Sequence, residues 1–334
     1  MKAACITRTG PPDVIEVIER PDPRPGPGQV VVRVKACAVN PIDTYIRAGT
    51  VAMPLEFPFI VGCDLAGEVV AVGAGVERFA VGDRVWGSNQ GVLGRQGTFA
   101  ELAAVDERWL YPTPAGVSDR DAAAAALVGI TAHLGLVTHA QARPGETVFV
   151  NGGSGGVGSM VVQIAARLGC RVVATASSDE GVARLRACGA DAVIDRRGHA
   201  DATACADAIR AATPDGVQVW WEALREPDFD TILGLLADRG RIVLMAGRDA
   251  RPPFPVGPFY VKEARLVGFV MFKASWEEQA AAAADLNRWM EATNLRAPIG
   301  TLLPLAETAA AHRLQEEGTI GRTGRLAGKI VIEP

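Results

Sequence analysis

Two hydrophobic rhythms divide the chain. From residue 147 onward, short and almost continuously apolar runs alternate with amphipathic segments whose apolar residues recur at helical spacing. Apolar strands that alternate with helices indicate a parallel sheet covered on both faces, because each strand must then bury both of its sides. The runs are TVFV (147–150), RVVATA (171–176), AVI (192–194), VQVWW (217–221), RIVLMA (241–246) and RLVGFVMF (265–272), and the intervening helices include 159–169, 179–189, 206–212 and 230–240.

The first 118 residues have a different pattern. Short strands such as 30–39, 67–73 and 83–87 are separated by Gly- and Pro-rich turns, which predicts a β-barrel or folded sheet. Ser118 and Asp119 are candidate caps for an Ala-rich helix, so a new region begins there. A helix near 276–292 and a strand in GKIVIEP follow the parallel sheet, and we expect this tail to return to the first domain. The predicted division is 1–118, 119–265 and 266–334.

Composition narrows the class of protein. Apolar residues make up 49% and charged residues 22% of the 334 positions, and the formal net charge is −4. The acidic balance argues against nucleic acid as a partner. We expect no membrane-spanning run and no signal peptide, and hence a cytoplasmic protein. The cysteines are scattered, which predicts free thiols.

The most specific motif is a glycine loop that follows the first apolar run. Residues 153–158 fit G-x-G-x-x-G, and they lie between a strand and an amphipathic helix, as a dinucleotide-binding loop requires. A pyrophosphate binds the backbone N–H groups of a helix N-terminus only where no side chain blocks its approach. The six strands and this loop predict a Rossmann domain. Its cofactor-binding residues are predicted to be Gly153, Gly155, Gly156, Val157 and Gly158.

The end of the second strand favours NADPH over NADH. An NAD site places a carboxylate at that tip to hold the ribose 2′-hydroxyl, whereas this strand ends in Thr175-Ala176-Ser177-Ser178. Ser177 would not repel a 2′-phosphate. Arg196, after the third strand, is predicted to bind that phosphate through paired hydrogen bonds. A solvated arginine on a loop is the alternative for Arg196.

Three further segments carry a resemblance to a known family. They are 36–49 (ACAVNPIDTYIRAG), 62–67 (GCDLAG) and 79–85 (FAVGDRV). Together with the glycine loop they resemble the medium-chain dehydrogenase/reductases, and within them the zinc-free quinone oxidoreductases similar to zeta-crystallin. The resemblance covers nearly the whole chain. It implies a GroES-like β-barrel catalytic domain beside the Rossmann doubly wound sheet, an α/β fold.

The resemblance also shows what this chain lacks. At the two positions where zinc-dependent members bind the catalytic metal through Cys and His, this sequence has Asn40 and Cys63. The region that matches their structural zinc loop, 87–101, contains no cysteine. Because zinc needs three or four well-placed N, S or O ligands, we expect no metal site.

Without a metal, the expected reaction is hydride transfer to an acceptor that delocalises its own charge. Quinones and α,β-unsaturated carbonyls do so, and the protein then needs only to orient the reactants and supply a proton. Tyr45 is predicted to donate a hydrogen bond or a proton to the developing enolate, and Asn40 to contact the nicotinamide ribose or the substrate oxygen. A packed aromatic is the alternative for Tyr45. By resemblance, Thr131, Gly247 and Arg325 approach the cofactor.

Two other functions stay open. The same scaffold could reduce an enoyl thioester, or it could bind NADPH without catalysis as a regulatory protein. In either case the expected partner is a small molecule, and by analogy with the family the protein is expected to be a homodimer. The sequence does not identify the physiological acceptor.

Overall fold

The computed structural model describes residues 1–319 and 328–334. Contacts divide the chain into two compact units, which we describe separately. The first unit comprises Met1–Ile130 and Ala274–Pro334, and the second comprises Thr131–Lys273. The sequence placed its boundaries after residue 118 and after residue 265, whereas the contacts place them after residue 130, inside a helix, and after residue 273.

The described residues form strands and α-helices with the following bounds. The strands are β1 (Lys2–Ile6), β2 (Glu16–Glu19), β3 (Gln29–Ala38), β4 (Phe59–Ile60), β5 (Leu65–Val72), β6 (Arg84–Gly87), β7 (Leu102–Asp106), β8 (Leu110–Pro112), β9 (Thr147–Asn151), β10 (Arg171–Ala176), β11 (Ala192–Asp195), β12 (Val217–Glu222), β13 (Leu236–Leu244), β14 (Arg265–Gly268), β15 (Ile299–Pro304) and β16 (Lys329–Glu333). The α-helices are α1 (Pro41–Ala48), α2 (Asp119–His133), α3 (Gly156–Arg167), α4 (Asp179–Ala187), α5 (Ala202–Ala212), α6 (Phe229–Leu235), α7 (Val256–Val261), α8 (Trp276–Ala292) and α9 (Thr308–Thr319).

The first unit is built around β3. This strand alternates buried valines with the exposed Arg33 and Lys35, the pattern of a sheet with one face in the core. It lies within the sheet β15-β16-β3-β5-β6-β8, and β7 also pairs with it. β1, β2 and β4 form a smaller sheet. Because β16 pairs antiparallel with the end of β3, with Val331 opposite Ala38, the C-terminal strand belongs to this unit.

Helix α1 follows β3 at once, and its sequence explains both of its ends. Asn40 is the N-cap, and the side chain of Asp43 accepts a 2.8 Å hydrogen bond from the Asn40 backbone N–H. Pro41 occupies the first helical position, where a missing N–H costs nothing. Gly49 ends the helix in the left-handed region, at φ 78°. This short helix therefore holds Asn40, Asp43 and Tyr45 at the end of β3.

The second unit contains the predicted parallel sheet. Its strand order is β11-β10-β9-β12-β13-β14, and all neighbours are parallel. This is the Rossmann order, so the predicted fold class is confirmed. One boundary was wrong: the helix predicted over 230–240 ends at Leu235, because Leu236 pairs with Val217 and starts β13.

Helix α2 is long and apolar. Its N-terminus is confirmed as predicted, since the Ser118 hydroxyl accepts a hydrogen bond from the Asp121 N–H at 3.1 Å. With the π-helical turn that follows it, the helix runs to His139, and by length and composition this segment could cross a membrane. The expectation that no run has this property was therefore wrong. The segment is 78% buried, as in a core helix.

Candidate functional site

The glycine loop of the second unit joins β9 to α3 in a tight turn. Gly152 adopts φ 89°, a conformation that favours glycine. A Cβ on Gly158 would lie 2.4 Å from the Gly152 carbonyl oxygen, so the helix packs against the loop only because that position has no side chain. A Cβ on Gly153 would lie 3.0 Å from the Cβ of Ala174. Internal packing thus explains these three glycines.

Gly155 is different, because no contact among the described residues requires a glycine there. A Cβ at this position would approach only the Gly152 oxygen, at 3.6 Å, and the residue is exposed. Gly155 is the N-cap of α3, and the first N–H groups of the helix, starting at Gly156 and Val157, have no partners within it. The open approach at Gly155 therefore leads to a helix end that attracts anions. The loop fits a bound pyrophosphate.

The tip of β10 carries hydroxyls and lies beside an arginine. Ala176 pairs with Asp195, so the next residues of the two strands, Ser177 and Arg196, leave the sheet at the same edge. Both are exposed. Arg197 is bound to Asp195 and Asp179, at 2.6 and 2.7 Å. Among the described residues, no hydrogen bond or ion pair engages Arg196. Burial raises the pKa of Glu222, and the charge of Arg196 is one of the weaker effects that oppose this rise.

The remaining predicted cofactor residues are spread over the chain. Thr131 is buried on α2. Gly247 follows β13 at φ 83°, and a Cβ there would lie 2.4 Å from the Arg225 carbonyl oxygen, so the turn itself requires glycine. Arg325 lies outside the residues that the structure describes. The contacts of Thr131 and Gly247 with a cofactor stay predictions.

In the first unit, Asn40 lies in a buried polar cluster. Its amide nitrogen donates to Asp64 Oδ2 at 2.7 Å and to the Ala38 carbonyl at 3.2 Å. Its Oδ1 accepts a hydrogen bond from Lys329 Nζ at 2.5 Å, and the same ammonium donates to the Val39 carbonyl at 2.7 Å. Asn40 is fully buried. Both of its amide hydrogens are therefore used inside the unit, and only its oxygen has a remaining lone pair.

The cluster concentrates ionisable groups. Burial raises the pKa of Asp43 to about 7, although a hydrogen bond from the Cys63 thiol opposes the rise. Burial also raises the pKa of Asp64, while the charge of Lys329 lowers it. Cys63 has its pKa raised by burial first and by Asp43 second, so its thiol stays protonated. Burial lowers the pKa of Lys329, whereas the charges of Asp64 and Asp43 favour its ammonium form.

These residues do not fit a zinc ion. Within residues 1–319 and 328–334, no three His, Cys, Asp or Glu side chains are grouped to hold a metal. At the two positions identified from the sequence, the Asn40 oxygen is bound to the Lys329 ammonium and the Cys63 thiol is hydrogen-bonded to Asp43. Zinc needs at least three well-placed donors and a deprotonated thiolate.

Tyr45 is half-buried on α1, two residues after Asp43. Its carbonyl accepts hydrogen bonds from Thr50 Oγ1 at 3.0 Å and from the Val51 N–H at 3.2 Å, which fixes the end of the helix. Its role as a donor to the substrate stays a prediction.

Sequence reasoning missed Lys329 and Glu222. Lys329 lies 289 positions from Asn40, and only the pairing of β16 with β3 brings them together. Glu222 ends an apolar strand, where a carboxylate is an unusual residue. This position in the sequence could have identified Glu222 as a candidate functional residue. Glu222 is buried and binds Asn151, the last residue of β9.

Family models match both halves of the chain. "Alcohol dehydrogenase GroES-like domain" matches residues 26–115, and "Zinc-binding dehydrogenase" matches residues 156–286. A quinone oxidoreductase from Rattus norvegicus is 34% identical over 334 residues, covering 99% of this chain and 97% of its own. A 273-residue stretch, 81% of this chain, is 36% identical to 6% of a mycoketide-CoA synthase from Mycobacterium tuberculosis.

Solved structures match over the whole length. A mycobacterial protein in complex with NADPH superposes with a TM-score of 0.85 at 32% identity, covering 100% of both chains. An NAD-dependent alcohol dehydrogenase superposes with a TM-score of 0.88 at 31% identity, again over 100% of both chains. One of these proteins was solved with NADPH and the other is named as NAD-dependent, so the choice between NADPH and NADH depends on the residues of this chain.

Proposed function

Because this chain belongs to the medium-chain dehydrogenase/reductase family and is an oxidoreductase, we propose that it reduces a quinone or an α,β-unsaturated carbonyl with NADPH and without a metal. The observation that carries the proposal is the ammonium of Lys329 at Asn40 Oδ1, at the position where zinc-dependent relatives bind their metal. An acceptor must then stabilise its own developing charge. Quinones and conjugated carbonyls do this by delocalisation.

The residues that would hold NADPH lie along the carboxyl edge of the parallel sheet. The N-terminus of α3 and the open approach at Gly155 support pyrophosphate binding. Ser177 and Arg196, which has no hydrogen bond or ion pair among the described residues, support binding of a 2′-phosphate. An arginine forms paired hydrogen bonds with phosphate oxygens. A carboxylate at the tip of β10 would repel that group. When bound, the cofactor supplies a hydride.

Tyr45 is the proton or hydrogen-bond donor in this proposal. Hydride addition to the β-carbon of an enone leaves an enolate, whose oxygen needs a donor until a proton reaches the α-carbon. A phenol that donates a hydrogen bond stabilises this oxygen more than the ground-state carbonyl. Asn40 contributes through the remaining lone pair of Oδ1, and Thr131 and Gly247 contribute to binding the nicotinamide half.

Cofactor titrations test the 2′-phosphate site. Arg196→Ala should weaken NADPH binding about tenfold, the loss of a charge-assisted hydrogen bond worth about 1.4 kcal/mol, and leave NADH binding unchanged. Arg197→Ala is the matched control, because that arginine is held by Asp195 and Asp179. If Arg196→Ala weakens NADPH and NADH binding equally, or if Arg197→Ala weakens NADPH binding more, Arg196 does not bind the 2′-phosphate.

An acceptor screen with NADPH tests the reaction. It should include quinones, enals, enones and nitroalkenes, and Tyr45→Phe should lower kcat with an enone by about a hundredfold. An unchanged rate would return Tyr45 to a packing role. Enoyl-CoA thioesters form a separate arm, because the similarity to a mycoketide-CoA synthase favours a thioester as the second candidate acceptor. Turnover of thioesters alone would establish the alternative.

We propose further that the protein acts in the cytoplasm as a homodimer. The formal net charge of −4 agrees with a small-molecule substrate rather than a nucleic acid or a membrane. The edge strand β14 exposes Leu266, which supports pairing with a second copy. Light scattering after size-exclusion chromatography gives the oligomeric state directly, and a monomer at micromolar concentration would contradict the homodimer.

A further inference from the structure

The second unit contains a buried carboxylate that the proposed reaction does not use. Glu222 ends β12, level with Asn151 at the end of β9. Its Oε1 accepts hydrogen bonds from Asn151 Nδ2 at 3.1 Å and from the Leu224 N–H at 2.8 Å. Its Oε2 accepts from Asn151 Nδ2 at 2.9 Å and from Trp220 Nε1 at 3.0 Å. Glu222 is only 2% exposed, and its donors among the described residues are all protein atoms.

A chain of hydrogen bonds runs from Glu222 to the glycine loop. Asn151, which donates to the carboxylate, accepts at Oδ1 a hydrogen bond from Thr175 Oγ1 at 3.1 Å. The Thr175 hydroxyl in turn accepts from the Gly152 N–H at 2.9 Å. The chain crosses three neighbouring strands, β12, β9 and β10, at their carboxyl ends.

The direction of this chain is determined by Glu222. An ionised carboxylate only accepts, so the amide of Asn151 must turn its nitrogen toward Glu222 and its oxygen toward Thr175. The single hydroxyl hydrogen of Thr175 then goes to Asn151, which leaves its lone pairs for Gly152. Gly152 is the loop residue at φ 89°, and its N–H is held in that conformation by the last acceptor of the chain.

We propose that Glu222 is a positioning residue for the cofactor: through Asn151 and Thr175 it fixes the backbone of Gly152 and so pre-forms the pyrophosphate loop. This inference rests on the proposed binding of NADPH by that loop. Glu222 touches no reacting atom in it. Its effect is to remove the entropic cost of ordering the loop when the cofactor binds.

A glutamine cannot replace this carboxylate. Each oxygen of Glu222 faces two donors, and the NH2 group of a glutamine would meet donors in either orientation. Glu222→Gln should therefore turn or release the Asn151 amide and leave the Gly152 N–H without its partner. Thr175→Val removes the same link while leaving Glu222 and its donors in place, and Thr175→Ser retains the hydroxyl.

The first measurement uses the protein without cofactor. Amide hydrogen exchange, followed by NMR, should show Gly152 exchanging about tenfold faster in Glu222→Gln and in Thr175→Val, but at the wild-type rate in Thr175→Ser. Glu146→Gln is the matched control. Glu146 binds Arg241 at 2.6 Å at the opposite, amino-terminal end of the same sheet, so its loss should lower stability without changing Gly152 selectively.

The second measurement is cofactor binding. Glu222→Gln and Thr175→Val should raise the Kd for NADPH about tenfold and change kcat at saturation less than twofold, whereas Glu146→Gln should change neither. If Gly152 exchanges at the wild-type rate in both variants, or if the whole sheet exchanges faster to the same degree as in Glu146→Gln, the positioning role is wrong. A wild-type protein that binds no NADPH would refute the proposed function, and the exchange data would still decide whether Glu222 orders the loop.

Discussion

Each of the two units buries a carboxylate near residues proposed to bind cofactor or substrate, and the two carboxylates are stabilised differently. In the second unit, Glu222 is held by an amide, an indole and a backbone N–H, all of them neutral donors. In the first unit, Asp64 is held by the Asn40 amide, which itself binds the ammonium of Lys329. Burial raises the pKa of both acids. The neutral arrangement orients a loop, whereas the charged one balances a cluster of acids.

The difference predicts unequal costs of disruption. Lys329 forms hydrogen bonds with Asn40 and the Val39 carbonyl and acts on Asp64 and Asp43 through its charge. Removing a buried charge that compensates neighbouring acids costs about 3–5 kcal/mol. Removing one neutral hydrogen bond costs about 1–3 kcal/mol, the desolvation of the group left behind. Removing Lys329 from its cluster should therefore act mainly on stability, and substitution of Glu222 mainly on cofactor binding.

The largest effect is expected at Lys329. Lys329→Met removes the ammonium from the Asn40–Asp64 cluster and should lower the free energy of unfolding by about 3–5 kcal/mol. Urea denaturation measures it. Lys35→Met, on an exposed position of β3, is the control and should change little. A loss below about 1 kcal/mol would mean that the acids of the cluster are neutral without Lys329, and the contrast between the units would disappear.

His312 sharpens the comparison, because this buried group of the first unit has no hydrogen-bond partner among the described residues. Neither ring nitrogen is engaged, and burial lowers the pKa of His312 to about 3. In the unfolded chain, this histidine becomes protonated as the pH falls below about 6.5. The contribution of neutral His312 to stability is therefore fully present above pH 6.5, and the free energy of unfolding falls as the pH drops toward 3. Between pH 6.5 and 4.5 the loss is about 2 kcal/mol.

His312→Phe should remove this pH dependence, since the ring is kept and the titration is lost. Urea denaturation at several pH values gives the slope. His139→Gln, at an exposed position, should retain the wild-type slope. A variant that loses stability with acid as steeply as the wild type would show that other groups cause the loss.

The glycine loop offers the corresponding test in the second unit. Gly158→Ala places a Cβ 2.4 Å from the Gly152 oxygen and should cost about 1–3 kcal/mol of stability as well as cofactor binding. Thermal unfolding and NADPH titration separate the two losses.

Gly155→Ala should have the smallest effect on the fold. Its Cβ meets nothing closer than 3.6 Å, so the melting temperature should stay within about 2 °C while NADPH binding weakens about tenfold. If binding is unaffected, Gly155 is not on the path of the pyrophosphate. If both glycine variants lose stability equally, packing within the protein requires glycine at residue 155 as well as at residue 158.

The sequence predicted the features that depend on neighbours along the chain. The parallel sheet, the glycine loop and the N-terminus of α2 follow from periodicity and from capping residues within a few positions of each other. The lysine at Asn40 could not be predicted, because 289 residues separate the pair and the strand order alone joins them. Glu222 and Asn151, 71 residues apart, meet for the same reason. The helix predicted over 230–240 was too long because Leu236 satisfies a helical pattern and a strand equally well.

The place of Lys329 in the last strand has a consequence for biosynthesis. A ribosome makes the acids of the first unit long before it makes their counter-charge, and every strand of the second unit, from residue 147 to residue 268, is complete in between. The second unit can therefore fold before Lys329, the buried cation of the first unit, has been synthesised. Nascent chains arrested before residue 329 would carry a finished cofactor sheet and an unneutralised acidic core.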